Sequence, residues 1–177
     1  MIGREPRVIA RTARQLLREI TVADAPFMVE MNEDPVVKQF TGDDPFVSLE
    51  AAQKYFAEYD PYTTEGVGRW ASIDLTSGEF LGWCGLRRVG GELDLGYRYM
   101  ARARGKGLAT EASRPCLAFA FETLGEASVV ARVFPGNAAS MRVMDKLGMR
   151  YECNVMSGTH DVLQYRILAD EWRALLA

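Results

Sequence analysis

The segment Leu95-Gly-Tyr-Arg-Tyr-Met-Ala-Arg-Ala-Arg-Gly-Lys-Gly-Leu-Ala-Thr-Glu111 has the residue types and spacing to do chemistry. Alternating apolar residues run into a turn carrying Gly105 and Gly107, and a long helical pattern starts at once. The first amides of a helix have no intrahelical acceptor and stand at the positive end of its dipole. A glycine lacks a β-carbon, so an anion can come close to the backbone. Arg104 and Lys106 add positive charge. The amides from Arg104 through Gly105, Lys106, Gly107, Leu108, Ala109 and Thr110 are therefore expected to seat the pyrophosphate of a nucleotide cofactor. The competing reading is a glycine-rich loop that only caps a surface helix. A nicotinamide-dependent oxidoreductase would need the third small residue of GxGxxG in a βαβ unit, and a nucleoside triphosphatase would need GxxxxGK[ST]; neither pattern is present.

Other residues could handle protons or substrate. Glu92 and Asp94 lie on the strand leading to the glycine turn and share a face, since strand side chains repeat every second residue. Either could take a proton from an attacking group, directly or through water. The alternative is that Asp94 is a structural hydrogen-bonder and Glu92 a hairpin-end charge. Asp43, Asp44, Glu58, Asp60 and Glu65 cluster in sequence, as an acidic lip for a cationic substrate or as a solvated face. Trp70, Trp83 and Tyr97 read as core, or else as a pocket lining. His160 stands alone at an expected turn, and no metal site is proposed.

The elements that must position these groups follow from periodicity. Residues 1–12 read as a loose arm and 13–177 as one domain. Gln15–Ile20 is a short strand, and Thr21-Val-Ala-Asp24 resembles a capping box opening a helix that Asp34-Pro35 ends. Ser48 caps a second helix. Trp70–Leu75, Phe80–Leu86 and Leu93–Tyr99 alternate apolar and polar residues between turn signals, giving an antiparallel meander. Leu108–Leu124 is helical, with Pro115 expected to kink it beyond the anion-binding turn. Ser128–Phe134 is a buried strand, Asn137 caps a helix that stops at Gly148, and two strands and a terminal helix follow. A strand–helix–strand crossover within a mostly antiparallel order predicts an α/β sandwich with a mixed sheet.

Composition bounds the function. The 177 residues are 48% hydrophobic, enough for one sizeable core. A net charge of -3 speaks against a nucleic-acid surface. No stretch approaches the length of a membrane helix, no signal-peptide core is seen, and three scattered cysteines suggest no disulfide framework, so a cytoplasmic location is expected.

Arg104-Gly-Lys-Gly107-Leu-Ala109 resembles the [QR]xxGx[GA] signature of the GNAT superfamily of N-acetyltransferases. Asn137-Ala-Ala-Ser140-Met-Arg-Val-Met-Asp-Lys146-Leu-Gly148-Met149 is similar to that superfamily's second cofactor-side motif. The opening Arg18-Glu-Ile-Thr-Val-Ala-Asp24 and the Asn32-Glu-Asp-Pro35 turn look like the RimJ/RimL branch of ribosomal-protein N-terminal acetyltransferases. The resemblance implies a GNAT-like sheet, mixed and mostly antiparallel with helices on both faces. It implies acetyl-CoA as acyl donor, seated where two parallel strands splay apart. Backbone atoms of Tyr99 and Met100 would pair with the pantetheine, an N–H near Met100 would stabilise the oxyanion, and Asn137 would hold the cofactor arm. The position that often carries a tyrosine acid is Met144 here, so Ser140 is the nearest candidate to protonate the leaving thiolate. The acceptor would be a primary amine, either a protein N-terminus or a small molecule. A homodimer is common among such proteins. The alternative within the same fold is a catalytically weak CoA-binding sensor or scaffold.

Overall fold

The computed structural model describes residues 5–42 and 44–177. Among the described residues eight strands form one sheet in the order β1-β2-β3-β4-β5-β6-β8-β7: β1 Val8–Arg11, β2 Gln15–Glu19, β3 Arg69–Asp74, β4 Phe80–Val89, β5 Glu92–Tyr99, β6 Ser128–Val133, β7 Arg150–Ser157 and β8 His160–Leu168. Every neighbouring pair is antiparallel except β5 with β6. The arm expected to be loose carries β1, which pairs with β2. Its four residues, exposed at the ends and half-buried at Ile9 and Ala10, gave no periodic signal, and pairing with a neighbour supplied the order.

The helices are α1 Ala25–Glu33, α2 Pro35–Thr41, α3 Leu49–Ala57, α4 Pro61–Thr64, α5 Leu108–Ala118, α6 Ala138–Lys146 and α7 Ala169–Leu176. Asp34-Pro35 ends α1 as expected, but it also starts α2. The Asp34 carboxylate accepts the Val36 and Val37 amides, and Pro35 takes the first helical position, where its missing N–H costs nothing. Ser48 caps α3 by accepting the Ala51 amide at 3.1 Å. The Thr21 N–H donates to Asp24 at 2.8 Å, closing half of the capping box. Pro115 is accommodated inside α5, which widens into a π-helical turn over Phe119–Thr123.

Helices cover both faces. Cys84 on β4 meets Ser113 and Cys116 of α5. Its neighbour Trp83 points to the opposite face, where the cross-strand residue Arg98 bonds Asn32 of α1 at 2.7 Å. The core runs through Leu17, Trp70, Leu86, Leu93, Leu95, Leu117 and Ile167, all buried. No helix among the described residues is long and apolar enough to cross a membrane.

Candidate active site

The centre of the sheet comes apart. The parallel ladder between β5 and β6 registers one pair, Asp94↔Val130. Toward the C-terminal ends of both strands no further pair is registered among the described residues, so the strands diverge. On the other side β5 stays paired with β4 as far as Tyr99, and the Met100 N–H donates to the Leu81 carbonyl at 2.9 Å. Backbone groups of an antiparallel strand alternate between its two neighbours. The N–H and C=O of Tyr97 and the N–H of Tyr99 therefore face the split, while the Tyr99 carbonyl accepts from Arg104 Nε at 2.9 Å. This corrects the role expected for Met100, whose N–H is already committed to β4. The open edge belongs to the two tyrosines.

β5 leads into the glycine turn. After a 3-10 turn over Ala101–Ala103, Gly105 and Gly107 adopt φ of 74° and 78°. Both are left-handed values that a side chain resists. Gly107 is the N-cap of α5. Among the described residues, no protein group accepts from the amides of Gly105, Lys106, Gly107, Leu108, Ala109 or Thr110; the next amide, Glu111, closes on the Gly107 carbonyl at 3.1 Å. A β-carbon on Gly105 would meet nothing within 4 Å, and one on Gly107 only the Arg14 guanidinium at 3.7 Å. Gly105, Lys106 and Gly107 are exposed. Six donors at a helix start are thus left without a protein acceptor, the arrangement an anion can use.

Arg104 departs from its expected part. Its amide bonds the Ala101 carbonyl at 3.3 Å, and its side chain turns inward. Nε donates to the Tyr99 carbonyl at 2.9 Å and the guanidinium pairs with Asp34 at 3.0 Å. Burial works against ionisation of Asp34, but the Arg104 hydrogen bond and the Val36 and Val37 amides outweigh it and hold the carboxyl below the usual carboxylate range. Arg104 thus ties the turn to the α1–α2 corner, and the amides without a protein acceptor run from Gly105 to Thr110.

Two groups of residues without a motif hold the turn in place. Arg14 pairs with Glu111 at 2.6 Å and donates to the Lys106 carbonyl at 3.0 Å, while Thr12 donates to Glu111 at 2.6 Å. Beneath them the Gln15 side chain accepts from Ser72 at 2.6 Å and Tyr99 at 2.8 Å and donates to the Leu108 carbonyl at 3.1 Å. Residues about a hundred positions away brace the helix start, and no local pattern announces them.

The candidate bases have other partners. Glu92 pairs with Arg132 and Arg166, both at 2.5 Å; Asp94 pairs with Arg132 at 3.2 Å and Arg69 at 3.4 Å. They share a face, as expected. With each carboxylate bound by two guanidinium groups, they stitch β5 to β6, β8 and β3 beside the split, which favours the structural alternative. The Arg69 backbone is itself held by two tyrosines, its N–H donating to Tyr59 and its carbonyl accepting from Tyr62.

Asn137 and Ser140 open α6. The Asn137 Oδ1 accepts the Ser140 amide at 3.1 Å, leaving Nδ2 as its donor for an outside partner. The Ser140 hydroxyl lies 3.0 Å from the Tyr97 hydroxyl. Met144 is buried in the core. Among the acidic candidates, Asp43 lies outside the described residues; Asp44, Glu58, Asp60 and Glu65 are exposed, with Glu65 accepting the Arg88 amide at 3.4 Å. Trp70 is core, edge-on to Phe119. Trp83 is buried between Arg69 and Arg98, whose guanidinium carbons lie 4.7 and 5.5 Å from its ring. His160 is exposed, but its ring rests 5.1 Å from Phe134 rather than standing alone.

The sequence matches the acetyltransferase (GNAT) domain over residues 14–150. The chain belongs to this family. An acetyltransferase solved from Agrobacterium tumefaciens strain C58 superposes with a TM-score of 0.77 at 26% identity, covering 94% of this chain and 96% of that one. The YkkB protein of Bacillus subtilis (strain 168) is 35% identical over 104 residues, which are 56% of this chain and 60% of YkkB. The uncharacterized N-acetyltransferase p20 of Bacillus licheniformis is 26% identical over 80% of this chain and 82% of its own. Family and fold make the chain a GNAT N-acetyltransferase, and the fold implies acetyl-CoA as its cosubstrate.

Proposed function

We propose that this GNAT chain transfers acetyl from acetyl-CoA to a primary amine by direct attack on the thioester. The acceptor is a protein N-terminal amine, in the manner of the RimJ/RimL branch, or a small amine. One observation carries the reading: six acceptorless amides stand at an exposed helix start, directly after a strand whose far edge is open.

Each residue then has a role. The amides from Gly105 to Thr110, helped by Lys106, hold the diphosphate. The Tyr97 N–H and C=O and the Tyr99 N–H offer backbone groups to the amide-bearing arm as an added strand would. The Tyr99 N–H is the donor available to a developing oxyanion. Asn137 Nδ2 steadies the arm, and the Ser140 hydroxyl serves the departing sulfur. Rate comes first from holding amine and thioester together, which removes an entropic barrier. With Glu92 and Asp94 occupied, the amine enters neutral or loses its proton to water. The reading assigns the protein to the cytoplasm, with a homodimer as the assembly to look for.

The test is thiol release from acetyl-CoA over a panel of N-terminal peptides and small amines. Acceptor-stimulated release supports transfer. Acetyl-CoA binding with no acceptor in the panel stimulating release would favour the sensor or scaffold alternative.

A further inference from the structure

The Tyr97 side chain reaches across the split from β5 to the first turn of α6. Its hydroxyl oxygen is 3.0 Å from the Ser140 Oγ and 3.1 Å from the Ser140 carbonyl oxygen. A phenol has one proton and can donate to only one of them at a time. If it donates to the carbonyl, the Ser140 hydroxyl can spend its own proton on the Tyr97 oxygen. If it donates to Oγ, the Ser140 proton is free to point elsewhere. These are two hydrogen-bonding states of one pair, interconverted by rotating two hydroxyls without moving a heavy atom.

We propose that Tyr97 is a positioning residue that sets where the Ser140 hydroxyl donates, turning it toward the sulfur of coenzyme A when that sulfur carries charge. The inference rests on the acetyl-transfer reading above and deepens it. As the thioester C–S bond breaks, its electron pair stays on sulfur. Ser140 donates a hydrogen bond to that sulfur while Tyr97 donates to Ser140, and the proton that completes the thiol comes from water. Tyr97 keeps its own proton throughout. Burial pushes its hydroxyl well above the usual phenol range, opposed by the Ser140 hydrogen bond, so it acts as a donor rather than a net acid. Chained hydroxyl bonds polarise one another, and a neutral donor aimed at an anion is among the stronger protein hydrogen bonds.

The test needs no acceptor amine. Affinities of coenzyme A and of desulfo-coenzyme A, which lacks the sulfur, are measured by calorimetry from pH 6 to 10 for the wild type, Tyr97→Phe, Ser140→Ala and the double variant. The wild type should come to prefer coenzyme A as the thiol ionises, by about tenfold or more. Both single variants should lose most of that preference, and the double variant no more than either. All four should bind desulfo-coenzyme A equally, since the diphosphate seat is untouched. The proposal is overturned if Tyr97→Phe keeps the wild-type preference, or if it loses desulfo-coenzyme A affinity in proportion, which a purely structural role would produce. A wild type that binds desulfo-coenzyme A but shows no thiolate preference also overturns it and leaves the cofactor seat standing. Failure of the wild type to bind either compound would instead sink the acetyl-transfer reading beneath it.

Discussion

Placing a carboxylate in the anion seat separates a diphosphate site from a capped surface helix. In Gly107→Glu the new β-carbon projects into open space, with only the Arg14 guanidinium near, at 3.7 Å. No clash follows, but φ of 78° is left-handed and costs a non-glycine residue about 1–2 kcal/mol. Against a domain stability of roughly 5–15 kcal/mol the variant should remain folded, its melting temperature lower by about 2–8 °C. The electrostatic cost is larger. A carboxylate about 4 Å from one phosphate charge is repelled by about 4 kcal/mol at the effective dielectric of a protein surface, close to a thousandfold in Kd. Gly107→Ala is the control, because it carries the same backbone strain without the charge, and its affinity should fall about tenfold at most. Acetyl-CoA binding by calorimetry, with circular dichroism to confirm folding, decides the matter. If folded Gly107→Glu binds within threefold of the wild type, no diphosphate sits over these amides. If Gly107→Ala loses as much as Gly107→Glu, the effect is strain and the charge argument fails.

Three further outcomes are expected. Ser140→Ala should lower kcat by about tenfold to a hundredfold while acetyl-CoA affinity changes little; equal turnover removes Ser140 from the chemistry. Glu92→Gln and Asp94→Asn should each cost about 1–3 kcal/mol of stability by weakening the arginine lattice, yet leave the pH profile of kcat in shape. A hundredfold loss of kcat that high pH restores would return one of them to the role of base. The Glu111 carboxyl lies below its usual range, because Thr12 and Arg14 hydrogen bonds outweigh the opposing effect of burial. Its stabilising contribution is therefore complete above the unfolded value near pH ~4.3 and disappears as pH falls through the lower folded value. Glu111→Gln should be less stable at pH 7 and show a flatter loss below about pH 4.3, read from urea midpoints; parallel curves would refute the assignment.

The glycine turn, the crossover and the helix that Asn137 caps are legible in the chain, because each depends on groups adjacent in sequence. A helix start exposes its own amides, and glycines at 105 and 107 permit the left-handed backbone the turn adopts. Asp34-Pro35 announced a helix end. That the same pair begins α2 was missed, although aspartate before a proline at the first helical position is a helix-start signal. The strand β1 was not legible, because its four residues gain order only from pairing with β2.

Local pattern determined the glycine turn at the start of α5, the alternating strands and the mixed order of the sheet. Tertiary structure alone decided the partners of the polar groups that do not cap a helix locally. The Met100 N–H belongs to Leu81, Arg104 turns inward to Asp34, Glu92 and Asp94 are held by arginines, and Tyr97 finds Ser140. The physical reason is that a backbone conformation is set largely by neighbours in the chain. A hydrogen bond or ion pair is set by whichever partner the packed elements bring within about 3 Å, and that partner can lie anywhere along the sequence.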